Sequence, residues 1–160
     1  MDTFFANGDL WLRDWKQAEP CPIIKIEWTE LIGATDNLAE QIERSGKRFS
    51  GLYGIPRGGL VVAVLLSHRL GLPVHLLPHS QSLIVDDILE TGETLAPFCT
   101  YECAVLFTKP NPPFMPSFVG KRINPIGWLF LPWETPKGTY LDANQNPTYQ
   151  AHLDLLRREE

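Results

Sequence analysis

The chain of 160 residues is short of several things, and each shortage closes off a class of function. Its three cysteines, Cys21, Cys99 and Cys103, cannot all pair and are too few for a disulfide scaffold. Cys99 and Cys103 would share a face of a continuing helix, but two thiols without a nearby histidine make a poor zinc set. They read as buried, reduced residues, and the compartment as cytoplasmic. No apolar run nears the ~20 residues of a membrane-spanning helix. The start, Met1-Asp2-Thr3-Phe4-Phe5, lacks the basic-then-apolar order of a signal peptide. No Lys/Arg block stands out and the formal net charge is -5, which argues against a nucleic-acid surface. Neither a Walker loop nor a dinucleotide Gly-x-Gly-x-x-Gly is present.

What remains is the composition of an ordinary globular protein, 44% hydrophobic and 21% charged, long enough for one domain with a proper core. Residues 1–25 are aromatic and broken by Asn7-Gly8 and Pro20-Cys21-Pro22, an N-terminal extension in which Trp11 and Trp15 would share a helical face. From Trp28 the spacing of Leu31, Leu38 and Ile42 predicts a helix that ends at Ser45-Gly46. Strands are predicted at 49–55, 73–77, 82–88, 104–108 and 127–131. An apolar helix is expected from Leu60 to Leu70, closed by Gly71, and a further one after Thr91, kinked or delayed by Pro97. Pro110 to Pro125 reads as a proline-rich connection, and 136–160 as a C-terminal extension with a polar terminal helix beyond Pro147. Strands alternating with helices predict a three-layer α/β domain over 26–135, with a mainly parallel central sheet and helices on both faces.

The most informative run is Ser82-Leu83-Ile84-Val85-Asp86-Asp87-Ile88-Leu89-Glu90-Thr91-Gly92-Glu93-Thr94-Leu95. A buried, β-branched strand delivers carboxylates to its C-terminal edge, and the next residues offer amides and hydroxyls at the start of a helix, where an anion is favoured. Carboxylates suit ribose hydroxyls or a metal, and an amide nest suits a phosphate. The plain alternative is a strand end followed by an acidic turn. Upstream, Gly54-Ile55-Pro56-Arg57-Gly58-Gly59 lies between a strand and a helix. Its glycines permit close backbone approach, and Arg57 offers paired donors to phosphate oxygens.

The acidic run resembles the phosphoribosyl-diphosphate (PRPP) signature of the type I phosphoribosyltransferases, with Glu90 where aspartate is usual. The resemblance covers Ile26 to Glu134 and is nearest to the bacterial xanthine–guanine enzymes. Phe107-Thr108-Lys109-Pro110 and the Trp128-to-Glu134 stretch, with its Pro132-Trp133-Glu134, resemble their base-binding segments. It implies transfer of a 6-oxopurine (xanthine, guanine or hypoxanthine) onto PRPP with release of pyrophosphate. It implies that Arg57, Gly58 and Gly59 face pyrophosphate. Asp86 and Asp87 would hold the ribose hydroxyls in a site that also takes Mg²⁺. Glu90, with Arg57, would be catalytic, handling a proton at a purine ring nitrogen. Thr91, Gly92, Glu93 and Thr94 would wrap the 5′-phosphate, and Lys109, Trp128 and the Leu129 backbone would hold the base. Trp128 as core and Lys109 as a solvated charge are the alternatives. The implied partners are PRPP and a purine base or nucleoside monophosphate, with further copies of the chain in a homo-oligomer; neither nucleic acid nor membrane is expected.

One departure is large. The family places a long flexible hairpin before the acidic strand, closing over PRPP. Here only His75-Leu76-Leu77-Pro78-His79-Ser80-Gln81 separates Val74 from Ser82. Losing a lid removes water exclusion and part of the leaving-group clamp. A lidless, non-catalytic or regulatory module that binds PRPP or a purine nucleotide is therefore the second reading. His75 and His79 are expected near the pocket, as partial substitutes for lid contacts or as ordinary surface histidines.

Overall fold

A computed structural model describes residues 23–124 and 128–134. The tryptophans of the N-terminal extension and the helix expected beyond Pro147 lie outside the described residues. Along the chain run β1 (Ile23–Lys25), α1 (Trp28–Arg44), β2 (Gly51–Gly54), α2 (Gly58–Leu70), β3 (Ser82–Leu89), a 3₁₀ turn (Ala96–Phe98), β4 (Cys103–Thr108), β5 (Phe118–Arg122) and β6 (Trp128–Phe130). No helix among the described residues is long and apolar enough to cross a membrane.

Strands β2, β3, β4 and β5 form one parallel sheet in that order, and β1 pairs with β6 in a second, two-stranded parallel ribbon. All of the main sheet's strands therefore end at one edge. Side-chain alternation divides the core in two. Leu52, Leu83, Val85, Ala104 and Leu106 pack with α1 and α2, whereas Tyr53, Ile84, Cys103 and Val105 pack with Leu95, Phe98 and Tyr101.

Helix α1 forms because Leu31, Ala34, Thr35, Leu38, Ala39 and Ile42 fall on one stripe at helical spacing. Thr35 is tolerated inside because its hydroxyl donates to the Leu31 carbonyl at 2.8 Å. The same helix covers the sheet's open edge: the Asn37 amide donates to Gly120 O at 2.6 Å, and the Gln41 amide to Val119 O at 2.7 Å. Helix α2 is apolar on most of its surface and stops at Gly71, whose φ of 66° supplies the left-handed cap.

The structure departs from the sequence reading in several places. The strand expected at 73–77 is a single bridge between Leu52 and Val74, because Pro73 and Pro78 cannot donate to a ladder. After Thr91 the expected α-helix is only the 3₁₀ turn Ala96–Phe98, since Pro97 has no N–H to continue one. Cys99 is thus exposed and shares no helix with Cys103, which opens β4, where burial pushes its thiol up to about 11. Strand β5 was hidden in the proline-rich connection, and β1 in the irregular N-terminal stretch. His75 and His79 sit at the wrong end for a pocket at the strand tips. Their rings pack edge-to-face at 4.7 Å, and His75 Nδ1 lies 2.8 Å from Ser82 Oγ at the beginning of β3.

Candidate functional site

The C-terminal tips of β2, β3 and β4 converge on one edge and carry most of the residues singled out above. The chain leaves β2 at Gly54, passes a cis Pro56–Arg57 peptide, and enters α2 at Gly58. This loop docks on β3 through the Ile55 N–H, which donates to Val85 O at 2.9 Å. The approach is closer still at the helix start. A Cβ on Gly58 would stand 1.7 Å from Asp87 Oδ2, and one on Gly59 would stand 2.5 Å from Val85 O. At Gly59 the obstacle is backbone, and at Gly58 a side chain would displace the Asp87 carboxylate, so the glycine loop and the acidic pair form one unit.

Asp86 is 5% exposed, so the carboxylates that β3 delivers to its C-terminal edge do not both face solvent. Its Oδ1 accepts from the Asp87 N–H at 3.0 Å, and Asp87 Oδ1 accepts from the Ile88 N–H at 2.8 Å. Burial, and then the neighbouring Asp87 charge, raise the Asp86 carboxyl well above the usual carboxylate range. Burial raises Asp87 as well, against the opposing hydrogen bonds that it accepts. Burial thus disfavours the charged form of the pair, a cost that a facing cation would offset.

At the tip of β3, Glu90 forms an ion pair with Lys109, which leaves the tip of β4. The register explains the meeting: Leu89 stands beside Thr108, so the next residue of each strand emerges side by side. The expected acid/base group and the expected base-binding cation therefore neutralise each other directly. Thr91 to Thr94 form a turn held by Glu93 N–H to Thr91 Oγ1 at 3.4 Å and Ala96 N–H to Gly92 O at 3.0 Å. With no α-helix behind them, these residues lack the helix-terminal partial charge that the sequence suggested.

Arg57 is exposed at the start of α2. Near it stands Glu134, a residue the sequence reading left without a role. Burial raises the Glu134 carboxyl first; the Asp87 charge raises it further, and Arg57 pulls it down. Arg57, Asp87 and Glu134 hence share one electrostatic neighbourhood. Glu134 is fixed by its own backbone, its Oε2 accepting from Leu131 N–H at 2.8 Å. The signal was available in Pro132-Trp133-Glu134, an acid at the end of the aromatic stretch. Trp133 itself lies 6.1 Å from Trp28, ring centre to ring centre. Leu129 is buried in β6 opposite Ile24. Trp128 lies in the same strand; its side chain is outside the described residues.

No model of a protein family matches the sequence, and no curated protein does. Solved structures do. A purine phosphoribosyltransferase from Pyrococcus horikoshii is 26% identical, with a TM-score of 0.60 over 71% of this chain and 95% of that one. The Helicobacter pylori xanthine–guanine–hypoxanthine phosphoribosyltransferase is 18% identical, with a TM-score of 0.62 over the same shares, 71% and 95%. A hypothetical protein from Neisseria gonorrhoeae with bound ppGpp is 17% identical, with a TM-score of 0.60 over 89% of this chain and 100% of that one. By fold, and by the run that its acidic strand carries, the chain is similar to the purine phosphoribosyltransferases.

Proposed function

We propose that the protein is a purine phosphoribosyltransferase that moves a 6-oxopurine onto C1 of PRPP and releases pyrophosphate. The observation that carries this reading is the convergence at one sheet edge of the Gly58–Asp87 contact and the Glu90–Lys109 ion pair. It brings the glycine loop, the acidic pair and Lys109 together, the groups that this reaction would need for pyrophosphate, ribose and base. In this reading Asp86 and Asp87 accept from the ribose hydroxyls, and Thr91 to Thr94 hold the 5′-phosphate. Arg57 and the backbone at Gly58 and Gly59 hold the pyrophosphate. Lys109 donates to the 6-oxo group, Glu90 takes the ring-nitrogen proton, and Trp128 and the Leu129 backbone hold the base. Fixing base and sugar in line supplies the orientational part of the rate, and Arg57 stabilises charge that develops on the leaving group.

The donor set fits Mg²⁺, which takes one or two carboxylates and completes its shell with substrate oxygens and water. Asp86 and Asp87 would hold it; both carry raised affinities for a proton that a cation would replace. When bound, the metal supplies neutralisation of the departing pyrophosphate.

Incubation with PRPP, Mg²⁺ and each of xanthine, guanine and hypoxanthine, followed by product analysis, tests the proposal. Nucleoside monophosphate is the expected product. A second reading, a nucleotide-binding module without turnover, is favoured by the short connection between α2 and β3 and by the likeness to the ppGpp-bound Neisseria protein along most of the chain. Tight binding of a purine nucleotide with no product would select it.

A further inference from the structure

The turn Thr91 to Thr94 has lost the helix that would ordinarily hold it, yet something else presses on it. A Cβ on Gly92 would lie 2.9 Å from Pro113 Cγ and 3.1 Å from Phe114 Cε1, so the tip of the β4–β5 loop is seated directly on this glycine. Gly92 has φ of 82°, a left-handed conformation that needs glycine and that the contact keeps in place.

The loop is built to do this. It leaves β4 at Lys109, where the side chain is tied to Glu90, and returns at Ser117, whose hydroxyl accepts from the Cys103 N–H at 3.3 Å. Between those anchors stand Pro110, Pro112, Pro113 and Pro116, each fixing φ and lowering the entropy lost on ordering. Asn111 supplies a left-handed bend, φ 56°. Phe114 is 39% exposed, so it is not there to fill the core.

We propose that Pro113 and Phe114 are positioning residues for the phosphate turn, holding Thr91 to Thr94 in the shape that accepts a phosphate in place of an α-helix. The inference rests on reading that turn as the phosphate site. One consequence separates it from a general packing role. Removing the aromatic ring should weaken binding of the phosphate part of a nucleotide and leave the nucleoside part alone.

Calorimetric titration of the full chain, of Phe114→Ala and of Phe114→Leu with GMP and with guanosine reads this out. The expected result is a loss of about tenfold in GMP affinity for Phe114→Ala, with guanosine unchanged within about twofold and most of the loss recovered by leucine. An unchanged GMP affinity, or equal losses for GMP and guanosine, overturns the proposal. If the unaltered protein binds no GMP, the phosphate reading itself has failed. Amide exchange at residues 91–95 of the free protein then decides whether the loop tip supports the turn. Exchange about tenfold faster in Phe114→Ala than in the unaltered protein, with β3 and β4 unaffected, is the expected outcome. Equal rates overturn the support role as well.

Discussion

Gly58 and Asp87 touch so closely that a single methyl group on the glycine would overlap a carboxylate oxygen, at 1.7 Å. This contact joins the start of α2 to the tip of β3. It fixes the distance between the backbone at the start of α2 and the acidic pair.

Gly58→Ala is therefore expected to push Asp87 aside and to weaken nucleotide or PRPP binding by at least about tenfold. Gly33, inside α1, is the internal control because nothing lies within 4 Å of the Cβ it would gain. Gly33→Ala should stabilise the protein by about 0.5–1 kcal/mol through helix propensity alone. Thermal melts and ligand titrations of both variants check the pair. Intact binding in Gly58→Ala would show that the contact has no part in the site.

The buried carboxyl of Asp86 makes a pH prediction with a definite sign. Its unfolded value is near 3.8, and burial raises it well above that in the folded protein. Between those two values the folded state keeps a proton that the unfolded chain has released. Stability must therefore fall as pH rises through that window. Asp86→Asn should flatten the dependence and leave the protein no less stable at neutral pH, while under the proposed function Asp86→Asn with Asp87→Asn is expected to abolish ribose recognition. Denaturant melts across the acid range test the first part, and nucleotide titration the second.

Much of this was legible in the residues because the run Leu83-Ile84-Val85-Asp86-Asp87 states burial and chemistry in adjacent positions. The α1 stripe and the Gly71 stop were equally local signals. What failed to show was set by tertiary pairing. Phe118 to Arg122 becomes a strand only because β4 and the amides of Asn37 and Gln41 take up its backbone groups. The placement of His75 and His79 also depended on which end of the sheet the connection returns to, and a one-dimensional reading put them at the other end. Glu134 was legible only as the end of the aromatic stretch, because Arg57 and Asp87, whose charges it feels, are remote in sequence.

The Glu90–Lys109 ion pair yields a prediction about base affinity. Pairs of this partly exposed kind contribute about 0–1 kcal/mol to stability, so Glu90→Gln should leave the melting temperature nearly unchanged. Its influence falls on the ligand. Under the proposed function a purine draws Lys109 away from Glu90, and aspartate, one methylene shorter, would hold the lysine less well. Glu90→Asp is expected to lower KM for the purine several-fold while keeping turnover. A KM that rises would mean that the longer side chain is needed where it stands.

The connection between α2 and β3 sets the last prediction. His75 is pinned by its N–H to Leu52 O at 2.7 Å, and Ser82 N–H donates to His79 O at 2.8 Å, so the segment is tied down where β3 begins. Along β3 that start lies roughly 13 Å from Asp86 and roughly 23 Å from the strand tip at Leu89, at about 3.3 Å per step. A segment this short and this far away is not able to close over bound PRPP. If transfer occurs, water should compete unusually well with the purine, giving more PRPP hydrolysis per nucleotide formed than in lidded members of the family. The same openness should make binding weak and product release fast, so that chemistry limits turnover. Rapid-quench measurements with radiolabelled PRPP would follow both products from the first turnover. A burst of nucleotide would contradict this account, because a burst requires slow release after fast chemistry.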